Sequence, residues 1–152
     1  LVPLDGDPDH EQGLPVASGI AQACAADLHL LMVVPTLGRL SGERGATARL
    51  LPTATSAWLD MSEESAEEHV HQKAIELQAS GLTVAAEVCR GDPAGAIVRT
   101  AQGMQVDLVV LGTHGKRGMD AFWSSSVAAQ VASRLRIPLL LVPVREAGSS
   151  LR

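Results

Sequence analysis

The residues whose types and spacing could do chemistry lie between Val106 and Val127, in VDLVVLGTHGKRGMDAFWSSSV. An apolar run, Leu108 to Leu111, leads into Gly112, Gly115 and Gly118, and Ser124, Ser125 and Ser126 then open a stretch of helical spacing. Glycine allows positive φ and close backbone approach, and serine is a good helix cap. A glycine turn followed by a helix N-terminus presents backbone N–H groups and a favourable dipole to an anion. The same spacing also fits a tight strand-to-helix connection that holds no ligand, and the local pattern does not choose between them. His114 is the only histidine within the turn. With no paired nucleophile in view, it reads as a hydrogen-bond donor to a ligand rather than a general base. A second candidate is Asp5, in the DGDPD turn that follows Leu1-Val2-Pro3-Leu4. A carboxylate at the carboxyl end of a strand is well placed to meet a ligand in an open α/β sheet. An Asx-turn or helix cap accounts equally well for one of the aspartates there.

Familiar nucleotide fingerprints fail on spacing. A phosphate-binding loop of the Walker type needs four residues between its first glycine and the Gly-Lys pair. Here two residues separate Gly112 from Gly115-Lys116, and Arg117 stands where Ser or Thr is required. The dinucleotide pattern G-x-G-x-x-G belongs after a first strand, whereas this chain has G-x-x-G-x-x-G late in the sequence. His69 and His71 are two apart, so on a helix they face apart and do not form a chelating pair. The arginines Arg39, Arg44 and Arg49 are either a lid over an anion or a solvated face.

These residues need elements to hold them. A chain of 152 residues predicts one domain with a real core. Its hydrophobic fraction is 46% with only 2% aromatic, which suits helices packed closely on a parallel sheet. The net charge of −5, with mixed signs, argues against a nucleic-acid surface. No apolar run approaches about 18 residues, so no membrane span is expected. Cys24 and Cys89 form no C-x-x-C and read as two buried thiols in a reducing cytoplasm. No signal peptide is visible, and the chain begins at Leu1 without an initiator Met and inside a strand, so sequence upstream is expected, and one module of a longer protein stays open as a reading.

The first strand ends at Leu4, and a helix follows to about Ala26 with Val16, Ile20, Ala23 and Cys24 on one face. Pro15 requires that helix to start late or to kink. Leu28–Val34 (LHLLMVV) is a buried strand, on which His29 reads as hydrogen-bonded or at the rim. Periodicity is lost from Pro35 to about Leu59, predicting a long loop. Asp60 and Glu63 make a capping-box pattern ahead of a helix with Ala66, Val70, Ala74 and Leu77 inward, stopped by Gly81. Leu82 to Cys89 is a strand with the polar share of an edge position. Asp92 caps a short helix with Pro93 at its first position and Ile97, Val98 and Ala101 inward. After the glycine turn, Val127, Ala128, Val131, Ala132 and Leu135 pack inward on a last helix. Leu139–Val144 (LLLVPV) is a fifth strand, placed at an edge by Pro143. The alternation predicts a five-strand, doubly wound, Rossmann-like parallel sheet with right-handed crossovers.

Taken together, PLDGD, LHLLMVV, GDPAGAIV, DLVVLGTHGKRG and IPLLLVPV resemble the universal stress protein family, in order and spacing, over nearly the whole chain. The resemblance implies a universal stress protein domain over residues 1–146 with a C-terminal tail at 147–152. It implies the adenine nucleotide alpha hydrolase-like version of the sheet. Many members bind ATP through G-x2-G-x9-G-(S/T) and dimerise by pairing their last strands. Gly112 and Gly115 match the first two glycines, Ser125 stands in the place of the third, and Ser126 fills the Ser/Thr position. Asp5, with Pro3 beside it, matches the acidic residue that meets the adenosine, and Val33 matches an adenine contact. Leu111, His114 and Val127 fall within the same motif. The Cβ of Ser125 occupies space where a backbone would approach phosphates, while its N–H stays available. The resemblance thus implies a cytoplasmic, regulatory stress-response module that binds ATP or a related adenine nucleotide, with Mg²⁺ or Mn²⁺, and is at most a slow ATPase. It also implies a homodimer through Leu139–Val144. Two other readings stay open: a dimeric interaction module without nucleotide, and an enzyme using His114, which would need a second titratable group.

Overall fold

The computed structural model describes residues 1–6, 10–34, 36, 52–114 and 126–144. Asp7 and Asp9, the arginines Arg39, Arg44 and Arg49, the segment from Gly115 to Ser125, and the tail at 147–152 lie outside the described residues. In chain order the elements are β1 (Val2–Leu4), a 3₁₀ turn (His10–Gln12), α1 (Gly13–Cys24), β2 (Leu28–Val34) and α2 (Pro52–Ala79). There follow β3 (Val84–Arg90), α3 (Pro93–Gly103), β4 (Val109–His114), α4 (Val127–Arg134) and β5 (Leu139–Val144). This is an α/β fold whose strand pairs all run parallel.

Pairing is three plus two, β1–β2–β3 and β4–β5, rather than the single five-strand ladder expected. Leu1 links the groups: its N–H donates to Leu108 O at 2.8 Å, and its carbonyl accepts from Val110 N–H at 2.9 Å. In β2, Leu30 and Leu31 are consecutive and both wholly buried, and in β4 Val109 and Val110 are 0% and 3% exposed. Successive side chains on a strand point to opposite faces, so both faces are covered. One face carries Val2, Leu4, Leu30 and Val110 against Leu14, Ala17 and Ala21 of α1 and Val70 and Ala74 of α2. The other carries Leu1, Leu31, Val109 and Leu111 against Ala94, Ile97 and Ala101 of α3 and Ala128 and Val131 of α4.

Several helix expectations shift. In α1 the inward stripe is Leu14, Ala17 and Ala21, while Val16, Ala23 and Cys24 are exposed. Pro15 sits in its first turn, where a missing N–H costs nothing, because the helix starts late behind the 3₁₀ turn. α2 begins at Pro52, well before Asp60, so the capping box does not form there. Asp60 and Glu63 instead bind the Arg90 guanidinium, with Arg90 Nη2 2.6 Å from Asp60 Oδ1. The partner of that acidic pair is on β3, a relationship local spacing does not encode. Ala66, Val70 and Ala74 are inward as expected, and Gly81 leaves the helix with φ of +83°, a conformation glycine adopts without strain.

Asp92 caps α3 as expected, accepting the N–H of Gly95 at 3.0 Å with Pro93 in the first turn. In α4 the buried residues are Ala128, Ala129 and Val131, whereas Val127 is 37% exposed and Ala132 is exposed. Strands β1, β3, β4 and β5 each have one paired neighbour among the described strands, and β2 has two. Cys24 is exposed rather than buried, and Cys89 is intermediate.

Candidate functional site

The helices that follow β1 and β4 in the chain pack on opposite faces of the sheet. The chain after β1 enters α1, which packs on one face. The chain after β4 leads to α4, which packs on the other. The two strands are neighbours through the Leu1 hydrogen bonds to Leu108 and Val110. Parallel strands whose connections diverge leave a crevice beyond their carboxyl ends, and ligands of open α/β sheets bind there.

The described candidates lie on or directly after β1, near the end of β2, in β4 and at the start of α4. Asp5 is exposed immediately after β1, and Gly6 turns the chain with φ of +79°. A Cβ on Gly6 would meet only the flexible end of Met32, at 3.1 Å from its Cε, so it is the positive φ that favours glycine here. Pro3 is half-buried and stands opposite Leu31 in register. Val33 stands opposite Cys89 near the end of β2, and it packs in the same core as Leu111, Ala128 and Val131. Gly112 follows Leu111 in β4, opposite Val142 of β5. On its α1 side, a Cβ built on Gly13 would lie 3.6 Å from Gly112 N, so the first helical turn packs directly on this backbone. His114 ends β4 opposite Val144. Gly115 and Ser125 lie outside the described residues.

Ser126 is the N-cap of α4, with extended φ and ψ of −71° and 148°, and its Oγ accepts the N–H of Ala129 at 3.2 Å. The first-turn N–H groups of a helix have no carbonyl partner within it, and its dipole favours negative charge. Val127 starts the helix with its side chain partly in solvent. The described candidates thus supply a carboxylate acceptor, apolar side chains on two strands, and a helix N-terminus. Such a set can hold a ligand with hydroxyl donors, an apolar ring and an anionic group.

His29 is not part of this group. It lies at the amino end of β2, with Nε2 3.3 Å from Glu87 Oε1 but without hydrogen-bond alignment to it. His69 and His71 do not meet, and among the described residues no group of three or more His, Cys, Asp or Glu could hold a metal ion. Burial and the neighbouring Glu87 push the Cys89 thiol above its ordinary range, against a smaller opposing effect of Arg99.

One functional-looking cluster escaped the sequence reading. Glu11, in the 3₁₀ turn, accepts from His69 Nε2 and pairs with Lys73 Nζ at 3.3 Å. Beside it, a cleft of about 420 Å³ is lined by Gly6, Met32, Met61, Ser62, Ser65 and His69. Glu11 and His69 are 58 positions apart, so no spacing rule joins them.

The universal stress protein family model matches residues 1–143 of the chain. This chain belongs to the universal stress protein family. It is 28% identical over 148 residues to universal stress protein MJ0531 of Methanocaldococcus jannaschii, covering 93% of this chain and 79% of that protein. Among solved structures of the family, one in complex with cAMP superposes with a TM-score of 0.65 at 21% identity, covering 95% of this chain and 94% of the other. The universal stress protein from Archaeoglobus fulgidus in complex with dAMP gives a TM-score of 0.57 at 19% identity, covering 92% and 93%. Those likenesses establish the fold shared with the family. No described helix is long and apolar enough to cross a membrane.

Proposed function

We propose that this universal stress protein domain binds ATP or a related adenine nucleotide in the crevice between β1 and β4, and works as a regulatory, dimeric module of the cytoplasmic stress response. The observation that carries the reading is the packing of α1 and α4 on opposite faces of the neighbouring strands β1 and β4, with Ser126 capping α4 and Asp5 exposed after β1. The family relatives in complex with cAMP and dAMP support an adenine nucleotide as the ligand class.

In this reading Asp5 accepts from the ribose hydroxyls, and Pro3, Val33 and Leu111 offer the base an apolar surface. Gly112, His114, Gly115, Ser125, Ser126 and Val127 surround the phosphates, with backbone N–H groups and the helix dipole opposing their charge. Mg²⁺ or Mn²⁺ accompanies the phosphates of the nucleotide. The role is binding, with slow hydrolysis at most. The two strand groups act as one five-strand sheet joined at Leu1, in the order β3–β2–β1–β4–β5. The outer edge of β5, with its half-buried Leu139, Leu140, Leu141 and Val142, pairs with a second copy. Sedimentation over a concentration series tests that dimer, and a chain that stays monomeric throughout refutes it.

Calorimetric titration with ATP and Mg²⁺, and with cAMP, tests the nucleotide reading in the parent and in Ser125→Gly. Binding by the parent supports it. Binding by the variant alone shows that the serine Cβ closes the cradle, which favours an interaction module without nucleotide. Heat from neither sinks the nucleotide assignment.

A further inference from the structure

The cleft of about 420 Å³ between the β1 exit and α2 has two thioethers in its wall, Met32 and Met61, together with Gly6. Met61 is 69% exposed on α2. Met32 is half-buried on β2 and packs against the core that contains Leu4, Leu30 and Val70. In register it stands between Leu4 of β1 and Val88 of β3. Its tip reaches the turn after β1, where a Cβ built on Gly6 would lie 3.1 Å from Met32 Cε. Gly6 holds φ of +79° and is bonded directly to Asp5. The end of one thioether thus rests on the residue next to the carboxylate proposed to meet the ribose, while the cleft opens the same side chain to small solutes.

We propose that Met32 is an oxidation site through which a hydroperoxide weakens nucleotide binding. This inference rests on the nucleotide reading above and deepens it by naming a regulator of the same site. The sulfur lone pair takes one oxygen of hydrogen peroxide, the O–O bond breaks, and the proton of that oxygen leaves with the other as water. Sulfur loses two electrons and the peroxide gains them, so thioether becomes sulfoxide. The product is polar and chiral where the thioether was apolar and flexible. A close-packed wall has no room for the added oxygen, and an unpaired polar atom is unfavourable there. The Met32 side chain therefore turns out into the cleft, Gly6 loses its contact, and Asp5 loses its fixed place. Met61 is the more exposed and is oxidised first, but its oxygen stays in solvent and leaves the turn untouched.

The test treats a Met119→Leu chain with hydrogen peroxide in steps, reading each methionine by mass spectrometry and ATP affinity by calorimetry. Met119 lies outside the described residues, and its replacement leaves Met32, Met61 and Met104 as the only thioethers. Met61 and Met104, 69% and 49% exposed, are expected to oxidise first with affinity unchanged. Affinity is then expected to fall about tenfold as Met32 follows. A Met32 that stays a thioether after the other two are consumed, or a loss that tracks those two, overturns the proposal. So does an equal loss in the same chain carrying Met32→Leu, a swap that keeps the apolar volume. Should that variant not fold, methionine sulfoxide reductases applied to the oxidised chain give the second arm. Affinity that returns with the Met32 thioether supports the proposal, and affinity that stays low overturns it. An untreated parent that binds no nucleotide sinks this inference together with the nucleotide reading. A binding chain indifferent to Met32 oxidation sinks this inference alone.

Discussion

Ser126 Oγ lies 3.2 Å from the N–H of Ala129 and accepts it, closing the first turn of α4 with its own side chain. That donor is thereby committed to the cap. What α4 can offer an anion is concentrated in the N–H groups before it and in the dipole of the helix.

Replacing Ser126 separates the two functions of this residue. Ser126→Ala removes the cap and costs about 1 kcal/mol of stability. Ser126→Asp keeps an acceptor for Ala129 N–H and holds stability near the parent, yet places a negative charge where phosphates are proposed to sit. Thermal melts are expected to rank parent and Asp together above Ala. ATP titration is expected to rank Asp last, and an Asp variant that binds as well as the parent would remove α4 from the phosphate site.

The face shared by α3 and α4 is the tighter test of packing. Ile97 is 2% exposed in a cluster with Val109, Leu111 and Val131. Truncation by Ile97→Ala leaves a cavity there and costs about 2–5 kcal/mol, measured by chemical denaturation. Ile75, 59% exposed on α2, is the control, and Ile75→Ala is expected to change stability by about 0.5 kcal/mol or less.

The two thiols differ in environment. Cys24 is exposed at the end of α1, while Cys89 is half-enclosed on β3 with its pKa raised by burial and by Glu87. Thiolate is the reactive form, so a thiol reagent at neutral pH is expected to label Cys24 first and Cys89 slowly. Mass spectrometry of a brief labelling reaction reads the order. Equal rates would contradict the placement of Cys89.

Lys73 gives a pH dependence with a defined sign. Its folded pKa is raised above the ordinary 10.5, by interactions with Glu11 and Glu76 that exceed the opposing effect of burial. A raised lysine contributes stability that is fully present below its unfolded pKa and lost as pH rises through the folded value. The difference in thermal midpoint between parent and Lys73→Gln is therefore expected to be constant across neutral pH. It should shrink once the pH passes 10.5. A difference that grows with alkaline pH would reverse the assignment.

Some of this was legible in residue order. The runs LHLLMVV and DLVVLG are apolar without alternation because both sheet faces are covered, and that pattern alone identified buried parallel strands. Asp92-Pro93 and Ser126 announced helix starts because capping is a relation between residues three apart. The capping-box reading of Asp60 and Glu63 failed for a related reason. The same two carboxylates satisfy Arg90 on β3, and the local pattern cannot tell a cap from a distant ion pair. The inward face of α1 was misjudged because Ala17 and Ala21 are small residues with weak hydrophobic periodicity, yet they let the helix approach the sheet closely.

The sequence by itself determined the family, the parallel α/β class and most strand positions. These are properties of residue type and short-range spacing. The tertiary structure alone decided three things: that β1 and β4 meet at Leu1, that the helices following them pack on opposite faces, and that Glu11 reaches across to His69 and Lys73. Each depends on contacts between segments far apart in the chain. Such contacts are set by which faces pack together, a choice that local propensity does not carry.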